Sequence, residues 1–381
     1  MLRALSVENF RGLETFSMAN LGRINLLVGT NNCGKTSILE AIHLLSTRGD
    51  ASSLWSVLGR RGESLEGALS SRDDLEADIC HLFHGHQLTP GKFFSIQGKN
   101  DALSEALVAT IVEANDSGDS DRPNAAEIRQ KALAFDDAEV GLPSRLALAI
   151  RWQRETIPIG EQLLLLSRQG GMRSSAAERA TRRRGREDED KPIQLITTAS
   201  LTRHEVMRLF DDIVLGPEER VLVEALRIIE PTIERIAAIG SRQLYSLGAR
   251  GGFVIICQGS TQRIPIGSMG DGIWRMLGIV LSLMRVPNGT LLVDEIDTGL
   301  HYTVLANMWK VVLETAKRLN VQVFATTHSR DCYESLAEIS RPQVVDKNEV
   351  SIQRIERDRK EAVAYSEQEI VIAAESGIEV R

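Results

Sequence analysis

Eight residues, Gly29-Thr30-Asn31-Asn32-Cys33-Gly34-Lys35-Thr36, fit the spacing G-x-x-x-x-G-K-[ST], with an apolar run at 23–28 before them and the helical pattern Ile38, Leu39, Ala41, Ile42, Leu45 after them. The glycines let backbone N–H groups from Asn31, Asn32, Cys33, Gly34, Lys35, Thr36 and Ser37 turn inward around phosphate oxygens, and the helix start adds the positive end of its dipole. In such a loop the Lys35 ammonium bridges β- and γ-phosphates and the Thr36 hydroxyl holds Mg2+. A second string, Leu291-Leu292-Val293-Asp294-Glu295, is an apolar run ending in paired carboxylates, as when a buried parallel strand delivers acids to its C-terminal edge. Asp294 is expected to bind Mg2+ through water, and Glu295 to polarise an attacking water as general base. Two ionised carboxylates at an apolar strand end are costly without a cation, so ATP and Mg2+ are the ligands this chemistry asks for. Cys33 stands where a helix N-terminus lowers a thiol pKa, but any small side chain fits there, and that plainer reading is favoured.

These residues need a sheet to hold them. Residues 2–10 and 23–28 read as strands, 54–84 as helical, and 93–96, 147–152 and 162–166 as short strands of an antiparallel layer, interrupted by helical pieces at 101–115 and 125–135. Helices resume at 203–212 and 218–238, the second with Val221, Leu222, Ala225, Leu226, Ile229, Ile233 and Ile236 at helical spacing. Then come strands at 242–247 and 253–258, a helix at 274–284, a strand at 290–293, a helix at 304–318 and a strand at 321–326. Two strands joined by a long helix need a parallel crossover, so this half reads as part of an α/β sheet. The stretch 167–191 has no apolar period and reads as a mobile loop; between 167 and 186 seven arginines face the single acid Glu178, a local charge of +6. A solvated loop is the plain reading of that run, and a phosphate-contacting arm through Arg182, Arg183, Arg184 and Arg186 is the sharper one.

Composition narrows the classes further. At 381 residues, 43% hydrophobic and 25% charged, the chain is neither disordered nor collagen-like nor a disulfide scaffold. A net charge of −7 excludes a histone-like polycation, so any nucleic-acid contact has to come from a local patch. The longest apolar stretches, at 163–166 and 277–283, fall short of the ~20 residues of a membrane span. The N-terminus runs into strand alternation without a signal-peptide pattern, and Cys33, Cys80, Cys257 and Cys332 lie far apart with no C-x-x-C, which together point to the cytoplasm. The string Cys80-His81-x-x-His84-x-His86 contains ligand residue types, but no fourth well-spaced ligand appears and Leu82-Phe83 is core-like, so packing or contact with a nucleotide edge is favoured over a metal.

Four further strings carry a family likeness. Ser268-Met269-Gly270-Asp271-Gly272 before a helix resembles the signature motif of ABC-type ATPases in its SMC-like and OLD (overcoming lysogenization defect) form. Asp297-Thr298-Gly299-Leu300-His301 resembles their D-loop, Thr326-Thr327-His328-Ser329 their switch-histidine loop, and Leu5-Ser6-Val7-Glu8-Asn9-Phe10-Arg11-Gly12 their first strand. The resemblance implies an α/β ABC-type P-loop ATPase head with an antiparallel β layer, a mostly parallel core and an inserted helical region. Its parts would be 1–100, an insertion at 101–240, and 241–381. It implies a homodimer in which Ser268, Gly270 and Gly272 of one copy cap the ATP of the other, with Asp297 at the seam and His328 as a catalytic γ-phosphate sensor. His301 divides evenly between packing and a role at that seam. The family's lobe-joining glutamine has no single match, Gln87 and Gln97 both lying in the expected region.

Three uses of such a head compete. It resembles stand-alone OLD-like ATPases of bacterial antiphage defence, which assemble or gate a separately encoded effector, a TOPRIM or HNH-type nuclease. The alternative is a RecF-like DNA-binding clamp of DNA repair. A transporter ATPase is disfavoured by the β opening and the S-M-G-D-G form. The residues after His328 read as short strands and a helix with no acidic metal cluster, so the chain is expected to carry no nuclease activity of its own and no membrane partner.

Overall fold

A computed structural model describes residues 1–65, 75–114, 145–184, 191–216, 218–239, 252–340 and 349–375. The hairpin β1 (Leu2–Phe10) and β2 (Leu13–Met18) comes first, then β3 (Ile24–Val28), the glycine loop, α1 (Lys35–Ser46) and α2 (Ala51–Arg60). β4 (Glu76–Asp78) and a 3-10 turn (Ile79–Leu82) precede four long strands, β5 (Phe93–Asn100), β6 (Ser104–Ala114), β7 (Arg145–Arg154) and β8 (Ile157–Leu165). Next are β9 (Gly171–Arg173), α3 (Ser174–Arg184), β10 (Ile193–Ile196), α4 (Arg203–Asp211), α5 (Glu218–Leu226), β11 (Ile233–Ala238), β12 (Phe253–Cys257) and β13 (Ile264–Pro265). The remainder is α6 (Asp271–Arg285), β14 (Thr290–Val293), α7 (Tyr302–Leu319), β15 (Gln322–Thr326), α8 (Arg330–Ile339), β16 (Val350–Arg354), β17 (Val363–Ser366) and α9 (Glu367–Glu375).

The chain makes two compact units, one of Leu2–Ala19 with Glu40–Asp190, the other of Met1, Asn20–Leu39 and Lys191–Arg381. The first is antiparallel, a six-stranded sheet in the order β2-β1-β5-β6-β7-β8. Its strands alternate: in β1 Leu5, Val7 and Phe10 are buried while Ser6 and Glu8 are exposed, the period-2 pattern of a sheet with one covered face. Phe94 packs against Phe10 and Phe83 at ring separations of 5.2 and 5.3 Å. Buried Arg11 is paired with Glu40 at 2.6 Å and with Glu63 at 2.7 Å, and Arg61 closes on Glu40 at 2.7 Å. Burial pushes the Glu40 carboxyl above its ordinary value against the pull of both arginines, so removing either partner would leave a buried charge uncompensated.

The second unit is parallel at its centre, in the order β10-β14-β15-β3-β16-β17, with only β17 running antiparallel to its neighbour. Every residue of β3 and β15 is buried, as expected of strands covered on both faces. α6, α7 and α8 cover this sheet through a shared core that includes Trp274, Leu277, Trp309, Val312 and Leu336. α7 stops at Asn320, which adopts the left-handed φ of 54° that ends helices without a steric penalty for Asn. Among the described residues no helix is long and apolar enough to cross a membrane.

Four local expectations are overturned. Residues 104–114 are strand, because alternate burial of Leu107, Ala109 and Ile111 and pairing on both sides with β5 and β7 outweigh the helix-forming composition. The helix read across 54–84 ends at Arg60 and is followed by β4 and the 3-10 turn. The helix read across 218–238 ends at Leu226, since Pro231 cannot continue it, and Ile233 and Ile236 become buried positions of β11. The stretch read as a loop at 167–191 contains β9 and α3, whose Ala177 and Ala180 are buried and whose Thr181 donates to Asp50 Oδ1 at 3.0 Å. The helical piece at 125–135 and the strand at 242–247 fall outside the described residues.

Two glycines give opposite expectations for stability. A Cβ on buried Gly289 would lie 1.9 Å from the Pro192 carbonyl oxygen, whereas one on Gly59, in the last turn of α2, would meet nothing within 4 Å. Gly289→Ala is expected to lower stability in urea unfolding by about 1–3 kcal/mol. Gly59→Ala is expected to raise it by about 0.5–1 kcal/mol.

Candidate active site

Three adjacent strands of the parallel sheet, β14, β15 and β3, are in register at their C-terminal ends, with Val293 opposite Ala325 and Thr326 opposite Leu27. The glycine loop after Val28, the carboxylates after Val293 and the histidine after Thr326 therefore leave one sheet edge together, the place where open α/β sheets bind ligands.

The loop owes its path to residues that tolerate positive φ. Gly29 has φ 144°, and a Cβ there would sit 2.3 Å from the Ile355 carbonyl oxygen. Asn32 and Gly34 follow at 59° and 102°. α1 begins at Lys35, and the Ile38 amide closes its first turn on the Gly34 carbonyl at 3.0 Å. Lys35 is only 5% exposed, and its Nζ donates to the carbonyls of Gly29 and Thr30, both at 2.8 Å. Burial holds its pKa below the ordinary value, with nearby Cys33, Asp294 and Glu295 pulling the other way. Cys33 and Ser37 are buried, while Asn31, Asn32 and Thr36 are exposed.

The carboxylates are built around one hydroxyl. Thr326 Oγ1 donates to Asp294 Oδ1 at 2.7 Å and accepts from the Glu295 amide at 2.8 Å. Glu295 itself takes a left-handed φ of 48°, so the chain turns as soon as it leaves the strand. Thr36 Oγ1 lies 3.1 and 3.3 Å from the two Asp294 oxygens. That separation and an all-oxygen donor set suit Mg2+ bound at roughly 2.0–2.1 Å per ligand, and when bound the ion would neutralise charge on the β- and γ-phosphates. His328 stands between the other two groups, its Nδ1 3.4 Å from Lys35 Nζ and its Nε2 3.4 Å from Glu295 Oε1. A single tautomer serves both contacts, with Nδ1 accepting from the ammonium and Nε2–H donating to the carboxylate. Thr298 also donates to Glu295, at 3.3 Å. Lys35, Thr36, Asp294, Glu295 and His328 are thus brought together as one ammonium, one hydroxyl, two carboxylates and one imidazole, group types that phosphoryl transfer to water can use.

Residues 1–133 match the family described as an AAA ATPase domain, and residues 134–331, more than half of the chain, match "AAA domain, putative AbiEii toxin, Type IV TA system". The chain belongs to this AAA domain family. It carries a P-loop ATPase domain of the AAA type. An ATP/GTP phosphatase of Helicobacter pylori is 19% identical over 363 residues, covering 90% of this chain and 89% of that protein. A stretch of 46 residues is 50% identical to the DNA replication and repair protein RecF of Acinetobacter baumannii, covering 12% of this chain and 13% of that protein. Among solved structures, an SMC head bound to the C-winged helix domain of ScpA aligns with a TM-score of 0.46 and 13% identity over 96% of this chain and 98% of that one.

In this AAA ATPase a buried arginine outside the motifs ties α6 to the turn that carries Asp294 and Glu295. Arg275 is 2% exposed; its Nη2 donates to the carbonyls of Asp294 and Glu295 at 2.6 and 2.7 Å, and its Nη1 to the Thr197 carbonyl at 2.8 Å. Burial draws its pKa down to about 10 despite the carboxylates of Asp294, Asp297 and Glu295. An arginine inside an apolar helix, one turn after its start, is the signal by which sequence could have found it. Thr326 was legible only as part of a string.

The remaining motif residues are placed as follows. Ser268 and Gly270 are exposed ahead of α6, Gly270 at φ 90°. Gly272 is buried, and a Cβ on it would lie 3.0 Å from the Gly299 carbonyl oxygen, so it packs α6 against the D-loop of its own chain. Asp297 is half-buried and accepts from Thr327 Oγ1 at 2.7 Å. His301 is exposed, stacked on Tyr302 at 4.4 Å and bonded to Thr303. Gln87 and Gln97 are both exposed in the antiparallel unit. Arg182, Arg183 and Arg184 end α3, and Arg186 lies outside the described residues.

Thr326→Val keeps the shape of the side chain and removes both hydrogen bonds. Its kcat for ATP hydrolysis is expected to fall about 10–100-fold with little change in KM, and Thr326→Ser to recover most of it. Equal kcat in Thr326→Val and wild type would remove the hydroxyl from the positioning role.

Proposed function

We propose that this AAA ATPase is a nucleotide-gated homodimer that assembles or gates a separately encoded effector, a TOPRIM or HNH-type nuclease, in bacterial antiphage defence. The observation that carries the switch is the pairing, in one chain, of a hydrolytic set around Lys35 and Glu295 with a second, exposed anion-type turn at Ser268 and Gly270 before the N-terminus of α6. In this reading Ser268 and Gly270 of one copy cap ATP held by Lys35 of the other, Asp297 lies near the seam, and Glu295 activates the water that resets the dimer. His328 couples the base to the phosphate-binding lysine. The defence reading draws on the family description, which names a putative AbiEii toxin and a Type IV TA system.

A second reading, a RecF-like DNA clamp, draws on the short RecF match and on the arginines that end α3. Duplex DNA that raises ATP turnover in proportion to those arginines would favour it. Co-purification with the product of an adjacent nuclease reading frame would favour defence.

Lys35→Ala is expected to abolish ATP binding. Glu295→Gln is expected to keep binding, lower turnover by about 10²–10⁴-fold and accumulate an ATP-dependent dimer in sedimentation. A Glu295→Gln protein with wild-type turnover would remove Glu295 from the base role. Ser268→Arg is expected to bind ATP but neither dimerise nor hydrolyse it, and full activity of that variant as a monomer would defeat the shared-site reading.

A further inference from the structure

The connection between β4 and β5, in the antiparallel unit, gathers ligating groups that ATP hydrolysis does not use. Asp78 ends β4, and Cys80 and His81 lie on the 3-10 turn that follows. Asp78 caps that turn: its Oδ1 accepts from the Cys80 amide at 3.0 Å, while its Oδ2 lies 3.6 Å from His81 Nε2. The chain then reverses through two consecutive left-handed residues, Gly85 at φ 80° and His86 at φ 55°, and the His86 amide donates to the Phe83 carbonyl at 3.1 Å. This reversal sets the His86 ring edge-on to the His81 ring, 5.0 Å between centroids. The ligating atoms of Cys80, His81 and His86 all lie within 4.8 Å of one another.

The neighbouring residues have other tasks. His84 Nδ1 is bonded to the Arg11 carbonyl at 2.9 Å, and Leu82 and Phe83 are buried in the core as the sequence implied. Packing does not account for the three that converge, since Cys80 and His81 are half-buried and His86 is exposed. Residues 84–92 contain neither helix nor strand, and their ends are held by backbone hydrogen bonds, the His84 amide to the Asn9 carbonyl at 2.9 Å and the Gly91 amide to the Ile111 carbonyl at 2.8 Å.

We propose that Cys80, His81 and His86 bind one zinc ion, with Asp78 as the fourth ligand. In the sequence the string lacked a fourth well-spaced group; the structure places a carboxylate next to it, that of the cap residue Asp78, two positions before Cys80 and outside the usual ligand spacings, with Oδ2 3.6 Å from His81 Nε2. The donor set selects the metal: one sulfur, two imidazole nitrogens and one carboxylate suit tetrahedral zinc, whereas Mg2+ and Ca2+ take oxygen ligands. Tetrahedral zinc with ordinary bond lengths separates its donor atoms by roughly 3.3–3.6 Å. For Cys80, His81 and His86, closing from the observed spread takes about 1 Å, within reach of side-chain rotations on an exposed turn, and Asp78 Oδ2 lies 3.6 Å from His81 Nε2. The bound ion would clip the 3-10 turn to the far side of the reversal and so restrain the loop ahead of β5.

The test uses the full chain without nucleotide and Co2+ as the probe, because cobalt takes the same tetrahedral geometry and is coloured. One equivalent is expected to bind, with a thiolate-to-cobalt charge-transfer band and intense visible d–d bands that excess Mg2+ does not displace. Cys80→Ser should lose the charge-transfer band, exposed His86→Ala should weaken binding by more than ~10-fold, and Cys257→Ser should leave both unchanged. No stoichiometric uptake by the wild type, a band that survives Cys80→Ser, or unchanged affinity in His86→Ala would each overturn the site.

Discussion

One hydroxyl, that of Thr326, fixes the geometry on which the rest of the site depends. By donating to Asp294 and accepting from the Glu295 amide it ties the last residue of β15 to the first two residues beyond β14. The side-chain direction of both carboxylates follows from that tie together with the strand register, because a slip of one residue would turn each to the opposite face. The left-handed turn at Glu295 can then be held in place, and it throws the chain back so that Asp297 reaches Thr327 on the neighbouring strand's exit. Two successive threonines thus fasten two acids three residues apart, Asp294 and Asp297.

The same turn creates a problem that a second residue solves. Once the chain leaves the sheet, the Asp294 carbonyl needs a new partner and the Glu295 carbonyl keeps the turn bond from the Thr298 amide at 3.1 Å, and poorly paired carbonyls there are costly. Arg275 donates to both. Its charge is opposed by burial but lies among three carboxylates, so the cost of interring a guanidinium is offset within the site. The antiparallel unit handles a buried arginine differently: Arg11 faces two carboxylates directly, and the network closes through Arg61.

Much of this was legible in the sequence because it depends on local spacing. The glycine loop and the carboxylate pair carry their own flanks, and the central strands announce themselves as short unbroken apolar runs. What stayed hidden depends on contacts distant along the chain. Residues 104–114 become strand through pairing on both sides, and α3 is helical because two alanines find a covered surface. Thr326 and Arg275 are positioning groups whose partners lie 19 to 78 residues away, so spacing along the chain does not reveal those partners. Pro231, by contrast, was a visible stop that the apolar period obscured.

The contact between Gly272 and Gly299 has a mechanical meaning. Where side chains meet, a displacement can be absorbed by a change of rotamer; where two backbones meet without them, it cannot. The start of α6 and the D-loop therefore form a joint of very low compliance. Asp297, in the loop on the far side of that contact, accepts from Thr327, which precedes His328. The turn carrying Ser268 and Gly270 and the histidine beside Glu295 are in this sense linked through consecutive close contacts.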